Sequence, residues 1–370
     1  RLYLRSHLNI YIFFNMSFKA IFKQKPEIIQ SANARVNLIG EHTDYTGGFV
    51  LPTLLKFKTT IEVNENDEKK YQVYSEYFKE KKIFNDFIKS KHNDWVDYIK
   101  GCLFVFFDES KHISNKYLNI NITSNIPMER GISSSSALCV GIIKALNKFF
   151  KSHISDKHIA ILAQKVERDY IGVSGGIMDQ MVSSIGIHRK AFFLDCLNLK
   201  YELLDIPKNW KFYLVDSDVQ RNLRNSSYNE RYSQLKKAEK ALSVEYLGSI
   251  KLENFNKEKI SDPIILKRAK HVITENDRVL KSIEYMKKNK IEEFGNLMIK
   301  SHLSYSNDFE ASTRGVDLIV KNSIKAGAYG SRLTGGGFGG FTVSLIDENK
   351  LDKWLKQMSN IYDINNILEV

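Results

Sequence analysis

Between Arg35 and Gly48 the chain reads RVNLIGEHTDYTGG. A cation (Arg35), two carboxylates (Glu41 and Asp44), an imidazole (His42) and a hydroxyl (Thr43) stand close together there, a mixture of donors and acceptors suited to the hydroxyls of a sugar. Apolar runs bracket the stretch, Val36-x-Leu38-Ile39 before it and Phe49-Val50-Leu51 after a Gly47-Gly48 turn. A solvated loop rarely returns so abruptly to apolar residues, so the pattern points to a polar knot at a pocket.

A second segment, Pro127 to Ala137, reads PMERGISSSSA. An extended pattern leads into it and a helical one leads out. A glycine and four hydroxyls at a helix start gather backbone N–H groups and the positive end of the helix dipole at one point, which is an anion site. The same residues also make an ordinary serine-rich helix cap, and on this segment alone the two readings stand level. The GxxxxGK[ST] lysine is absent, which excludes a Walker-type ATPase. Asp179, in Gly175-Gly176-Ile177-Met178-Asp179-Gln180, is either a carboxylate held toward a pocket or a turn aspartate. Glu167 can reach a hard cation, although a helix glutamate more often faces solvent. Tyr228 can hydrogen-bond a ligand or simply pack. Five glycines in positions 335 to 340 require close backbone approach to a ligand or to another strand.

The elements that must position these groups follow from periodicity. Alternation predicts strands over 28–38, 59–63, 71–75 and 118–123, and a spacing of three to four predicts helices over 95–107, 137–150 and 156–170. A strand at 212–216 opens the remainder. It is followed by helices over 264–276, 277–288, 291–307 and 314–326, and then by the glycine run feeding a strand to Ile346. At 370 residues the chain exceeds one ordinary core, so two α+β domains are expected, 16–195 and 196–370, with residues 1–15 as an upstream or appended segment. A net charge of +12 suits an anionic partner, but the lysines are scattered, so a nucleotide is expected and no nucleic acid. The three cysteines have no metal or disulfide spacing and no apolar run is long enough to span a bilayer. The expectation is a cytoplasmic protein with no membrane partner.

Taken in order, these segments resemble the galactokinases of the GHMP small-molecule kinase superfamily, from about Ser31 to Ile346. RVNLIGEHTDYTGGFVLP is similar to the galactokinase signature almost throughout, and Pro127–Ala137 to the superfamily's phosphate loop. The resemblance implies the two-domain GHMP kinase fold with the active site in the inter-domain cleft, and transfer from ATP to the anomeric hydroxyl of D-galactose. It implies Asp179 as the catalytic carboxylate and Arg35 as the cation beside it, with Glu41, His42, Thr43, Asp44 and Tyr228 at the sugar. ATP would contact Ser75, Glu129, Arg130, Gly131, Ile132, Ser133, Ser134 and Ser135, and Ser135 with Glu167 would hold Mg²⁺. A monomer is expected. Glu129-Arg130 stands where the family usually has a glycine and a small residue, and Glu129 adds negative charge near the phosphates, for Arg130 to offset. A kinase of a related sugar (N-acetylgalactosamine, L-arabinose or galacturonate) and a non-catalytic galactose and ATP sensor are the alternatives. The intact serine run and Asp179 favour an enzyme.

Overall fold

Strands rich in β-branched and aromatic residues make the first half of the chain one mixed sheet. The computed structural model describes residues 17–90, 94–110, 116–127, 130–173, 175–218 and 224–370, with the backbone alone for 224–226. Expectations for residues 1–15 and for Glu129 lie outside the described residues. After the short helix α1 (Phe18–Phe22) come β1 (Ile28–Asn37), β2 (Phe49–Val50), β3 (Pro52–Asn66), β4 (Tyr71–Ser75), β5 (Glu80–Phe84), α2 (Val96–Ser110), β6 (Tyr117–Ser124), α3 (Ser134–Phe150), α4 (Asp156–Lys165), α5 (Met178–Ile185), β7 (Lys190–Asp195) and β8 (Lys200–Asp205).

Long β3 is the spine of this sheet. It pairs antiparallel with β1, β6 and β7, while β4 runs parallel to β6. Helices α3 and α5 pack on β1 and β3, and the resulting core includes Val36, Leu38, Ile61, Ile120, Val140 and Leu146. The β1–β3 register slips between Asn33 and Arg35. Such a bulge re-aims the side chains that follow it, here Arg35.

The second half carries a four-stranded antiparallel sheet in the order β10-β11-β9-β12, made of β9 (Trp210–Asp216), β10 (Gly330–Leu333), β11 (Phe341–Asp347) and β12 (Ile367–Glu369). Helices α6 (Arg224–Leu242), α7 (Pro263–Lys287), α8 (Ile291–Asn307), α9 (Arg314–Lys325) and α10 (Leu351–Ser359) complete it. This is the expected α+β architecture with two corrections. The helices expected over 264–276 and 277–288 are one, α7, capped by Asp262, because neither glycine nor proline interrupts the run at 276–277. The boundary expected at 195 falls inside the β7–β8 hairpin, and the first sheet continues to Asp205. Among the described residues no helix is long and apolar enough to cross a membrane.

Candidate active site

Arg35 and Asp179 meet in the wall of a cavity of about 340 Å³. Arg35 ends the bulged part of β1 and Asp179 lies in the first turn of α5. Arg35 Nε donates to Asp179 Oδ1 at 2.6 Å and Nη2 to Oδ2 at 2.8 Å, a two-bond fork, while Nη1 donates to the Gly131 carbonyl at 3.0 Å. Ser133 Oγ also donates to Asp179 Oδ2. Burial works against the Arg35 charge, but the Asp179 carboxylate outweighs it and moves its pKa up. One guanidinium thus orients both the carboxylate and the loop beside it.

That loop ends at α3. Its N-cap, Ser133, has φ +66° and makes no side-chain cap; its hydroxyl instead donates to Asp179. The dipole end of a 17-residue helix therefore faces the cavity. Ser135 Oγ and Ser136 Oγ donate to the two oxygens of Glu167, at 2.6 and 2.7 Å, and Gln180 Nε2 donates to Oε2 at 2.6 Å. Burial raises the pKa of Glu167, and these three donors pull it back. Glu167 lies in a π-turn, Val166–Ile171, that continues α4. Such bulges inside helices are frequent at functional sites, and the extra residue per turn swings this carboxylate inward.

At the other end of the cavity lies the 41–45 segment. Asp44 is close to Asp179 and Glu41. Burial first, then the Asp179 charge, pushes its carboxyl up to about 7, with a Tyr45 N–H bond opposing. Gly176 must be glycine for this approach, since a Cβ there would stand 2.1 Å from Asp44 Oδ2. His42 is buried with both nitrogens engaged, Nδ1 to Tyr45 Oη and Nε2 to Tyr305 Oη, each at 2.8 Å. Tyr305 donates its only proton to the Gly335 carbonyl at 2.7 Å, so it accepts from Nε2–H, and Tyr45 O–H donates to Nδ1. Burial foremost holds His42 well below the usual histidine pKa and therefore neutral. Tyr228 packs against His42 and Tyr45, with ring centroids 5.6 and 5.7 Å away.

Residues 16–65 match the galactokinase galactose-binding signature, 97–186 the GHMP kinases N terminal domain and 282–364 the GHMP kinases C terminal domain. A galactokinase of Fusobacterium nucleatum is 37% identical over 93% of this chain and 92% of its own length. One of Pyrococcus furiosus is 35% identical over 88% and 90%. The chain belongs to the galactokinase family. The crystal structure of Lactococcus lactis galactokinase complexed with galactose superposes with a TM-score of 0.89 at 30% identity, over 95% of both chains. Methanococcus jannaschii mevalonate kinase, at 22% identity and a TM-score of 0.71, shares the fold.

Within this galactokinase-family chain most of the expected residues converge. Arg35, Glu41, His42, Asp44, Gly131, Ser133, Ser134, Ser135, Glu167, Asp179 and Tyr228 all line the one cavity. Four of the described ones do not: Thr43, Ser75, Arg130 and Ile132, the last buried in the hydrophobic core. Thr43 is fully buried and its hydroxyl is used inside the segment, on the Gly40 and Phe49 carbonyls at 2.8 and 2.6 Å, so it shapes the turn and does not face the cavity. Ser75 sits at the end of β4 beside β6, away from the cavity. Arg130 turns to Asp216 at the end of β9, 2.9 Å away, and so joins the loop to the second sheet. Its charge is met by Asp216. Tyr305 and Arg332 carry no local signal, since each acquires its partner only on folding, while Ser136 and Gln180 stand inside the segments singled out above and turn out to hold Glu167.

Proposed function

We propose that this sugar kinase transfers the γ-phosphoryl group of ATP to the anomeric hydroxyl of D-galactose, giving α-D-galactose 1-phosphate and ADP, the first committed step of galactose use. The observation carrying this reading is the Arg35–Asp179 fork, set between a cluster of sugar-type acceptors and the N-terminus of α3. Galactose would lie against Glu41, Asp44 and Tyr228, and the nucleotide's phosphates against the amides of Ser133, Ser134 and Ser135. As the anomeric oxygen bonds to the γ-phosphorus and the bond to ADP breaks, its proton passes to Asp179. Arg35 stabilises the negative charge that develops. Phosphoryl transfer asks little covalent chemistry of a protein, so alignment and charge neutralisation supply most of the rate.

Mg²⁺ fits this donor set. Among the described residues no group of three or more His, Cys, Asp or Glu side chains could hold a metal. A magnesium ion that takes one carboxylate, phosphate oxygens and water needs no such group. Ser135 Oγ and Glu167 Oε1, 2.6 Å apart beside the loop, are the oxygens that would hold it. The ion's contribution when bound is neutralisation of phosphate charge. We read the protein as a cytoplasmic monomer, in keeping with three buried free cysteines that suit a reducing compartment. A panel of sugars with ADP detection tests the substrate. Fastest turnover on D-galactose is expected, and faster turnover on N-acetylgalactosamine, L-arabinose or galacturonate would replace it. No ADP release with any sugar would leave the sensor reading.

A further inference from the structure

Glu41 is held from behind by the other half of the molecule. Arg332, on β10, is fully buried, and a buried guanidinium must find acceptors for its five N–H donors. Nε donates to Ser301 Oγ at 3.1 Å, and Nη1 to the Asn37 carbonyl at 3.3 Å and to Glu41 Oε1 at 3.2 Å. Nη2 faces Glu275 Oε1 at 3.8 Å. Glu275, fully buried in α7, also takes the Gly40 N–H at 3.0 Å, so the same network grips the backbone next to Glu41.

Two further donors converge on Glu41. The Gly335 N–H donates to Oε1 at 2.9 Å, and Thr334 Oγ1 lies 3.1 Å from Oε1 and 3.0 Å from the Asn37 carbonyl, so its single proton is shared between these two acceptors while Arg332 supplies the other donor to Oε1. Among the described residues no donor reaches Oε2, and that oxygen is not sealed from the cavity that Glu41 lines. A carboxylate with one oxygen gripped and the other free cannot rotate without breaking the Arg332 and Gly335 bonds and losing its share of the Thr334 proton. It therefore offers a single acceptor of fixed direction.

We propose that Arg332, with Thr334, is a positioning residue of the sugar site: it locks Oε1 of Glu41 so that Oε2 meets one particular galactose hydroxyl. The role rests on the reading of Glu41 as a sugar ligand. It makes the acceptor geometry of the first half depend on β10 of the second.

Binding and kinetics of the full chain, with galactose and its 2-, 3-, 4- and 6-deoxy analogues, test this. Arg332→Lys keeps the charge but loses the fork. Thr334→Val keeps volume and removes one donor without stranding a charge, so it stays informative if the arginine variant does not fold. In Thr334→Val the galactose Kd and KM are expected to rise roughly tenfold while the ATP KM and kcat stay within about threefold. For one deoxy sugar, the one lacking the hydroxyl that Oε2 accepts, variant and wild type should bind alike. Glu41→Gln separates the two layers. If it leaves galactose binding unchanged, the sugar-ligand reading of Glu41 fails. If it weakens binding while Thr334→Val and Arg332→Lys do not, or if every deoxy sugar loses as much as galactose, the positioning role is overturned.

Discussion

Arg35 and Asp179 lie 144 residues apart in the chain and join through two hydrogen bonds of 2.6 and 2.8 Å. The pairing sets a carboxylate against a cation and keeps it directed at the cavity. Asp179→Asn preserves shape and removes the proton acceptor. Its kcat is expected to fall about 10³-fold, within the usual contribution of a positioned general base. Galactose binding, read by calorimetry, should stay within about fivefold, because the sugar's other partners remain. Near-normal turnover in this variant would remove Asp179 from its assigned role.

Asp44 gives the pH dependence a direction. Its folded pKa of about 7 lies above the ordinary carboxylate value, chiefly through burial and then through the Asp179 charge. The raised value means that between about pH 4 and 7 the folded form holds a proton that the unfolded form has lost. Folding stability from this group is therefore present at low pH and is lost as pH rises toward 7. A sugar hydroxyl donates best to the charged form, so galactose affinity should increase through the same window. Asp44→Asn should flatten the affinity profile and raise stability above pH 7 by on the order of 1 kcal/mol, after allowance for solvent screening. Thermal melts and calorimetric titrations at pH 5, 6, 7 and 8 check both signs, and a flat wild-type profile would contradict them.

Magnesium dependence should track Ser135 and Glu167. Chelation of divalent ions is expected to abolish turnover and leave galactose affinity unaltered. In Ser135→Ala the Mg²⁺ concentration for half-maximal rate should rise at least about tenfold, because one of two protein oxygens is lost and phosphates and water must take over. Glu167→Gln should do the same with an added loss of kcat. If the Mg²⁺ requirement is unmoved in both, the pair Ser135 Oγ and Glu167 Oε1 serves only to anchor α3 to the π-turn.

How much of this was legible depends on the range of the interaction. The strands over 28–37 and 71–75, and the helix over 291–307, follow from local periodicity, and they appear within a residue or so of expectation. The acidic, basic and hydroxyl groups of the signature and of the serine loop also announced a site, because such density of polar atoms between apolar flanks has few structural uses. Arg332 did not announce itself. In Ser331-Arg332-Leu333 an arginine reads as the solvent side of a short strand, yet the strand is buried on both faces and the acceptors that tie the arginine to the sugar segment, Asn37 and Glu41, lie more than 290 residues upstream. Thr43 failed in the opposite sense. Its type suggested a sugar contact, but the turn's own carbonyls claim its hydroxyl first. The choice between those uses is made by backbone geometry, which a string of letters does not carry.

Arg130 is the residue where two physical roles make opposite forecasts. Its Nη1 lies 2.9 Å from both oxygens of Asp216, and Nη2 lies 3.6 Å from Asp218, so its charge is already engaged beside the phosphate loop. Asp216 is buried enough that its pKa is raised, with the Arg130 charge pulling it back. If the pair is a tie between loop and second sheet, Arg130→Ala should lower stability by about 1–3 kcal/mol, through the stranded Asp216, and raise the ATP KM only a few-fold. Asp216→Asn should resemble it, and the double variant should cost less than the sum of the two, since both remove one interaction. If instead Arg130 leaves Asp216 to hold the nucleotide's phosphates, Arg130→Ala should lose 10² or more, roughly, in kcat/KM for ATP at little cost in stability, and Asp216→Asn should be nearly silent. Thermal melts and ATP kinetics on the three variants decide between them. The bonds at 2.9 Å to both carboxylate oxygens make the tie the expected outcome.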